Sequence, residues 1–187
     1  MSSTKEKLLE VAYDLVRKNG VNGMSYKDLS EAVGIRKASI HYHFPKKDDL
    51  IAELIGQCKY TIQKEYERIA ESDVAPIDKL REIAEIYANG IRANKICVMS
   101  ILSAENESLD TKSLNKLEIS IISTFSVFYQ IFEEAKTRNL LNDEYDVEGL
   151  TYAFYNLLIG GQIIGRTLGN DEKFYKSVEA FLAAIFK

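Results

Sequence analysis

The chain has 187 residues, a net charge of −4, and 46% hydrophobic and 28% charged residues, a balance that excludes wholesale disorder. Its two cysteines form no disulfide framework, and no apolar run approaches the roughly 18–20 residues that span a bilayer. No apolar signal region follows the first residues, so the sequence predicts a cytoplasmic protein that is neither secreted nor bound to a membrane.

The charge is distributed unevenly along the chain. Residues 1–50 hold nine basic and seven acidic residues, a net +2, whereas the remainder holds 15 basic and 21 acidic residues, a net −6. Residues 36–47 contain four basic residues and no acid. Because the Debye length is only about 8 Å at physiological salt, such a local patch attracts phosphate although the whole chain is acidic. Chance clustering on a solvated face is the alternative, and charge alone does not separate the two.

Three short helices are predicted before residue 45. Apolar residues recur at helical spacing through residues 5–18. Ser25-Tyr26-Lys27-Asp28 fits a capping box and opens a second helix, which stops at Gly34. A third helix is predicted over Lys37–His43. It ends at Phe44-Pro45, because proline disfavours helical geometry in the residue before it.

The remainder of the chain is predicted to form longer helices. One proline follows residue 45, no period-two alternation is sustained, and apolar residues keep the helical spacing. The sequence therefore predicts an all-α chain of about nine helices, with a helix-turn-helix domain at 1–47 and a helical effector-binding and dimerisation domain at 48–187. The later helices are predicted over residues 47–71, 76–91, 96–102, 114–139, 146–168 and 172–186.

The tight turn Gly34-Ile35-Arg36 joins the second and third helices as in a helix-turn-helix unit. In such units the second helix of the pair enters the major groove of DNA, while the first crosses the backbone. Ile40 and Phe44 are predicted to point inward and anchor this helix. Ala38 and Ser39 are small enough to let its backbone approach DNA. The groove-facing candidates are Lys37, Ala38, Ser39, His41, Tyr42 and His43.

The segment from Gly34 to Leu50 carries a family resemblance. Tyr42-His43-Phe44, then Lys47 three positions after Phe44, then Leu50 three further on, resembles the recognition-helix signature of TetR-family transcriptional regulators. The match extends back through the first helix and covers roughly residues 4–55. The rest of the chain resembles the family only in length and helical layout.

The resemblance implies DNA-binding roles for individual residues. Lys37 would reach a guanine edge or a phosphate, and Tyr42 would bind a phosphate through its hydroxyl. His43 would do the same or cap the turn. Lys47 would bind a phosphate at the start of the fourth helix, where the helix amides add partial positive charge. The opposite flank of the groove would be held by Ser25, Tyr26 and Lys27.

Three residues depart from the family pattern. His41 replaces a tyrosine that is common there, which leaves any base or sugar contact at that site open. Arg36 stands where a capping Ser or Thr is usual, so the helix start loses a side-chain acceptor worth about 1 kcal/mol. Arg36 offers a phosphate contact instead. Lys46 likewise replaces the usual cap before the fourth helix.

The resemblance also implies a dimer that binds an effector. The last two helices would pair with those of a second subunit, and the glycines among them indicate close helix packing. The predicted interface residues are Gly160, Gly161, Ile164, Gly165, Phe181 and Ile185. Aromatic and apolar residues of the middle region are predicted to line an effector pocket, with plain core as the alternative: Tyr87, Met99, Phe125, Phe128, Tyr129 and Tyr155.

Other chemistry has little sequence support. The two histidines, His41 and His43, cannot by themselves complete a tetrahedral zinc site, so neither a metal nor another cofactor is predicted. Cys58 and Cys97 lie in apolar stripes, which favours inert core thiols over a redox sensor. The chain has no phosphate loop and no nucleophile elbow, and it is not predicted to be an enzyme.

Together these features predict a homodimeric transcriptional repressor that binds a pseudo-palindromic double-stranded DNA operator. A small-molecule effector, apolar or amphipathic, would shift the spacing of the two recognition helices by preferring one dimer conformation. The alternative is a helical ligand-binding or assembly protein whose N-terminal unit no longer reads DNA. The unusual residues Arg36, His41 and Lys46 keep that alternative open.

Overall fold

A computed structural model describes residues 3–187, and the regular secondary structure of this part is helical apart from an isolated bridge between Leu141 and Phe186. It consists of nine α-helices and a short 3-10 turn at Asn106–Ser108. The predicted all-α class and the nine predicted helices are confirmed, with ends that differ by a few residues. The helices are α1 (Thr4–Asn19), α2 (Tyr26–Val33), α3 (Lys37–His43), α4 (Lys47–Glu71), α5 (Pro76–Arg92), α6 (Val98–Ala104), α7 (Thr111–Thr137), α8 (Val147–Leu168) and α9 (Glu172–Ile185).

Local side-chain chemistry sets the ends of the early helices. The hydroxyl of Ser25 accepts a hydrogen bond from the Asp28 amide, while the Asp28 carboxylate accepts one from the Ser25 amide at 2.8 Å. These two bonds form the predicted capping box of α2. Gly34 ends α2 in the left-handed conformation with a φ of 76°, which favours glycine. The tight turn into α3 depends on this residue.

The chain divides into two compact units. The first unit holds the chain up to Thr61 together with Cys97–Ser120, and the second holds Ile62–Ile96 and Ile121–Lys187. The boundaries fall within α4 and α7. The first unit contains the whole of the predicted DNA-binding domain, and a functional border at residue 47 stays a prediction. No helix of the described part is long and apolar enough to cross a membrane.

The core of the first unit fixes α3 in place. Leu8 of α1, Leu29 of α2 and Leu50 of α4 are fully buried. Ile40 and Phe44 are also buried, as predicted from the sequence. Burial of one such side chain contributes about 1.5–3 kcal/mol. This short helix is therefore held by tertiary packing, since seven residues cannot sustain a helix alone.

The core of the second unit is rich in aromatic side chains. Phe128, Phe154 and Phe174 are buried, and the rings of Tyr66 and Phe128 meet edge to face with centroids 5.3 Å apart. Such pairs add about 0.5–1.5 kcal/mol beyond the burial of their area. Gln162 of the same unit is also buried, and its side-chain amide donates to the carbonyl of Tyr87 at 2.9 Å.

A buried lysine braces the second unit. Lys79 is 3% exposed, and its ammonium donates to the carbonyl of Ala70 and to the Glu134 carboxylate, both at 2.7 Å. Burial raises the pKa of Glu134, but the hydrogen bonds from Lys79 and Arg138 outweigh it and hold that pKa below its usual value. The ion pair therefore stabilises the fold while Glu134 is ionised.

We expect Glu134→Ala to lower the free energy of unfolding by about 2–3 kcal/mol at neutral pH, because it leaves the buried Lys79 ammonium without its counter-charge. Glu134→Gln keeps a hydrogen-bond acceptor and serves as the control. The folded pKa of Glu134 lies below the unfolded value of about 4.3, so its contribution is present above that pH and is lost as the pH falls through the folded pKa. Urea unfolding at neutral and acidic pH measures this. A Glu134→Ala deficit that is unchanged in acid would contradict it.

Candidate nucleic-acid interface

Helix α3 presents one face to solvent and buries the other. Ile40 and Phe44, four residues apart, share the buried face. On the other side Tyr42 is 84% exposed and His43 is half-buried. The remaining predicted groove-facing residues are all exposed: Lys37, Ala38, Ser39 and His41. The contact of these residues with DNA stays a prediction, but the structure shows the exposure of the side chains that such a contact requires.

The exposed side of this region is basic. Arg36, at the start of α3, makes no side-chain capping bond, as the sequence predicts, and its side chain is exposed. Lys37 and Lys46 are also exposed. The stretch between residues 36 and 47 contains no acid and is therefore locally basic, although Asp49 accepts from the Lys46 amide and Asp110 lies close enough to interact with Lys46. Acids farther away than about 8 Å are largely screened at physiological salt.

Tyr26 supports the end of α3. Its hydroxyl donates to the carbonyl of Phe44 at 2.8 Å, and its ring meets that of His41 edge to face at 4.9 Å. Burial, followed by the nearby Asp49 and Asp48, raises the pKa of Tyr26 to about 12, so the phenol keeps its proton. A phenol has one proton to donate. That proton goes to the carbonyl of Phe44, so Tyr26 holds the end of α3, and its predicted place at the flank of the groove stays a prediction.

Ser25 and Lys27, the two other residues predicted for the opposite flank, differ in how strongly their side chains are engaged within the chain. The hydroxyl of Ser25 donates to Asp28 at 2.7 Å, so its proton is spent within the capping box of α2. Its place at the flank of the groove stays a prediction. Lys27 is exposed, and its ammonium lies 3.9 Å from Glu31. An exposed ion pair of that length is worth little, so Lys27 keeps its predicted role at this flank.

The start of α4 compensates for the cap that Lys46 does not provide. The Asp49 carboxylate accepts a hydrogen bond from the Lys46 amide at 3.2 Å, which supplies one half of a capping box. Next to it, the half-buried Lys47 donates from Nζ to the carbonyl of Val21 at 2.6 Å. An ammonium has three donors, so two remain for a phosphate. The sequence does not predict this contact, because a backbone acceptor carries no residue signature.

Part of the predicted effector pocket lies together in the second unit. The ring of Phe125 meets that of Tyr155 with centroids 5.0 Å apart, and Phe128 lies 6.2 Å from Tyr155. The hydroxyls of Tyr87 and Tyr66 are 3.2 Å apart. Tyr129 is 43% exposed. Met99 belongs to the first unit, and its place in an effector pocket stays a prediction.

The residues predicted for the dimer interface differ in how much of their surface is exposed. A β-carbon on Gly161 would lie 2.7 Å from Phe174, and one on Gly165 would lie 2.6 Å from Ile91. The close helix packing that these glycines indicate occurs inside the chain. Ile185 is likewise buried, so these three residues have little surface to offer a second chain. Gly160 and Ile164 are exposed, and Phe181 is half-buried.

Neither metal binding nor thiol chemistry gains support from the structure. Residues 3–187 contain no group of three or more His, Cys, Asp or Glu side chains that could hold a metal ion. Cys58 is buried and Cys97 half-buried. Burial raises the pKa of Cys58 to about 12, and Cys97 adds to this effect, whereas a hydrogen bond with Tyr13 opposes it. A thiol with that pKa is a poor nucleophile at neutral pH.

Known proteins resemble the chain in two ways. Residues 8–54 match the family model described as bacterial regulatory proteins, tetR family. A TetR transcriptional regulator from Legionella pneumophila has the same fold, with a TM-score of 0.87 and 26% identity over 98% of this chain and 97% of that one.

Two curated relatives match shorter segments. The HTH-type transcriptional repressor KstR2 of Mycolicibacterium smegmatis is 23% identical over 79 residues, which is 42% of this chain and 38% of the relative. IcaR of Staphylococcus epidermidis, the negative transcriptional regulator of the biofilm operon icaADBC, is 32% identical over 54 residues, 29% of each chain. The match with KstR2 thus spans about two fifths of that relative, and the match with IcaR less than a third.

Proposed function

We propose that this chain is a TetR-family transcriptional repressor that binds a pseudo-palindromic operator as a homodimer, because residues 8–54 match the family model and the fold is that of a solved TetR regulator. The observation that carries the proposal is the presentation of α3. Ile40 and Phe44 anchor this helix, while Lys37 and Tyr42 are exposed to solvent. The family is one of transcriptional regulators, and the proposal includes no catalytic activity.

In the proposed complex α3 lies in the major groove. Ala38 and Ser39 let the helix backbone approach the bases, and Lys37 reaches a guanine edge. Tyr42 and Lys47 bind phosphates on either side and fix the position of α3, while Arg36 adds a further cation. Because a bacterial operator lies on the chromosome, the proposed function also implies that the protein is cytoplasmic.

The proposed dimer contact uses the exposed apolar residues of α8. Ile163, Ile164 and Leu168 are 40%, 58% and 48% exposed, and Gly160 on the same helix leaves room for a close neighbour. A second copy that covers this surface removes apolar area from water. Two-fold symmetry then presents two α3 helices to one face of the duplex, which requires an operator with two half-sites.

The proposed effector binds at the aromatic cluster of the second unit around Phe125, Phe128 and Tyr155. The aromatic rings of this cluster, together with the hydroxyls of Tyr66 and Tyr87, suit contact with an apolar or amphipathic small molecule. Such a molecule changes operator affinity only by the difference between its affinities for two dimer conformations.

A salt titration tests the proposal. A labelled duplex with the promoter DNA next to the protein's own gene is compared with a random duplex of equal length by fluorescence anisotropy. We expect the promoter duplex to bind at least about 10³-fold more tightly, and its affinity to fall as salt rises with a logarithmic slope of about −0.9 for each phosphate contact. Equal affinity for both duplexes at every salt concentration would favour the alternative, a helical binding protein that no longer reads DNA.

A further inference from the structure

One peptide group of the α1–α2 loop lies between two oppositely charged side chains. The carbonyl of Val21 accepts a hydrogen bond from Lys47 at 2.6 Å. The amide of Asn22 donates to the carboxylate of Glu105 at 2.9 Å. These two backbone atoms belong to the same peptide bond. The ammonium at the start of α4 and the carboxylate directly after α6 are thus connected through a single planar group.

Each charge strengthens the hydrogen bond of the other. A carboxylate that accepts from the peptide N–H draws the peptide dipole into line and increases the negative charge on its oxygen, which binds the ammonium more strongly. The bond to Val21 uses one of the three donors of Lys47 and fixes the direction of the other two. Phosphate positioning requires a fixed direction of this kind, because a freely rotating lysine loses more side-chain entropy on binding.

Further contacts fix Glu105 on the loop. A β-carbon on Gly20 would lie 2.2 Å from the Glu105 carboxylate, so the carboxylate lies directly over this glycine. Gly20 has a φ of 80° and a ψ of 172°, a conformation that is essentially restricted to glycine. Beside it, the Asn22 side chain donates to the hydroxyl of Ser108 at 3.0 Å. The loop is therefore shaped to receive Glu105.

We infer that Glu105 is a positioning residue for DNA binding: through the Val21–Asn22 peptide it holds the Lys47 ammonium in the direction from which it meets an operator phosphate. The inference rests on the proposed function, since it assigns Lys47 to a phosphate. It adds a residue about sixty positions downstream of the helix-turn-helix segment to the determinants of operator affinity.

The test measures promoter-duplex affinity and its salt slope for the full-length chain and its variants. Lys47→Met is expected to weaken binding about tenfold and to make the slope shallower by about 0.9. Glu105→Ala is expected to weaken binding about fivefold and to shift the slope in the same direction. Glu105→Gln keeps an acceptor but removes the charge that strengthens the bond from Lys47, so it is expected to weaken binding by about two- to threefold. Glu107→Gln removes the same charge two residues away and is the control.

A double-mutant cycle separates positioning from a loss of fold. In the Lys47→Met background, Glu105→Ala is expected to cost less than about a further twofold, because the residue that it positions is already absent. Circular dichroism checks that each variant is folded. Where the alanine variant does not fold, Glu105→Asp replaces it. The aspartate keeps the charge but is one methylene shorter, so it withdraws from the Asn22 amide and is expected to lose affinity equally.

Each outcome has one interpretation. Equal losses from Glu105→Ala in both backgrounds, or a salt slope that Glu105→Ala leaves unchanged, would show that Glu105 acts independently of Lys47 and would overturn the inference alone. If the parent protein does not prefer the promoter duplex over the random one, the proposed function fails and the inference fails with it. Coupled losses in a parent that does discriminate would support both.

Discussion

Tyr42→Ala is expected to weaken operator binding by about 1–3 kcal/mol, roughly 5- to 150-fold, and to leave the stability of the protein unchanged. Tyr42 is 84% exposed, so truncation removes almost no buried surface. Substitutions at such positions usually change the free energy of unfolding by less than about 0.5 kcal/mol. Any loss of affinity is then a loss of contact with DNA. Anisotropy titrations and urea unfolding of the same preparation measure the two quantities.

Tyr60→Ala is the matched control for this substitution. Tyr60 is also a largely exposed tyrosine, at 64%, but it lies on α4 outside the helix-turn-helix segment. We expect Tyr60→Ala to bind the promoter duplex like the parent. Equal affinities of the Tyr42→Ala protein and the parent at several salt concentrations would show that α3 does not dock as proposed.

Phe44→Ala, unlike Tyr42→Ala, is expected to destabilise the protein, with a loss of about 3–5 kcal/mol in the free energy of unfolding. Phe44 is 1% exposed, and Lys5 lies 5.6 Å from the centre of its ring. Its removal leaves a cavity under α3, and α3 depends on packing because its first turn has no side-chain cap. We therefore expect operator binding to fall together with stability. Urea unfolding checks the first effect and anisotropy the second.

The two substitutions serve as controls for each other. Tyr42 and Phe44 are aromatic residues two positions apart, one on the exposed side of α3 and the other on the buried side. If Phe44→Ala left stability unchanged, α3 would not be anchored by this residue. If Tyr42→Ala destabilised the fold as much as Phe44→Ala, its effect on DNA binding would say nothing about a contact.

The sequence predicts the fold well because its strongest signals are local. The capping box at Ser25 and the left-handed Gly34 determine the bounds of α2 from a few adjacent residues. Amphipathic spacing likewise identifies Ile40 and Phe44 as the buried side of α3. The start of α7 is less well predicted. Asp110 accepts a hydrogen bond from the Ser113 amide at 2.8 Å, and the helix begins at Thr111, before the first apolar residue of its stripe.

The site is only partly predictable, because several of its contacts join distant segments through backbone atoms. Nothing in the sequence pairs Lys47 with the carbonyl of Val21 or Tyr26 with that of Phe44. Glu105 carries no motif and is recognised only where α6 ends beside the loop at Gly20. In each case the residue type is visible in the sequence, but its partner is determined by the tertiary fold.

The glycines of α8 show a different limit of sequence reasoning. Close spacing of glycines in an apolar helix indicates close helix packing, but it does not say which helix approaches. Gly161 faces Phe174 of α9 and Gly165 faces Ile91 of α5, both in the same chain. The exposed Ile164 on the same helix is the stronger candidate for contact with a second copy.

The most direct test of the central claim is methylation interference on the promoter duplex, combined with the stoichiometry of the complex by analytical ultracentrifugation. Methylation at guanine N7 blocks the major groove, where α3 is proposed to lie. We expect two clusters of interfering guanines with centres about one helical turn or a small multiple apart, and an even number of chains on each duplex. One chain on a duplex without interfering guanines would contradict it.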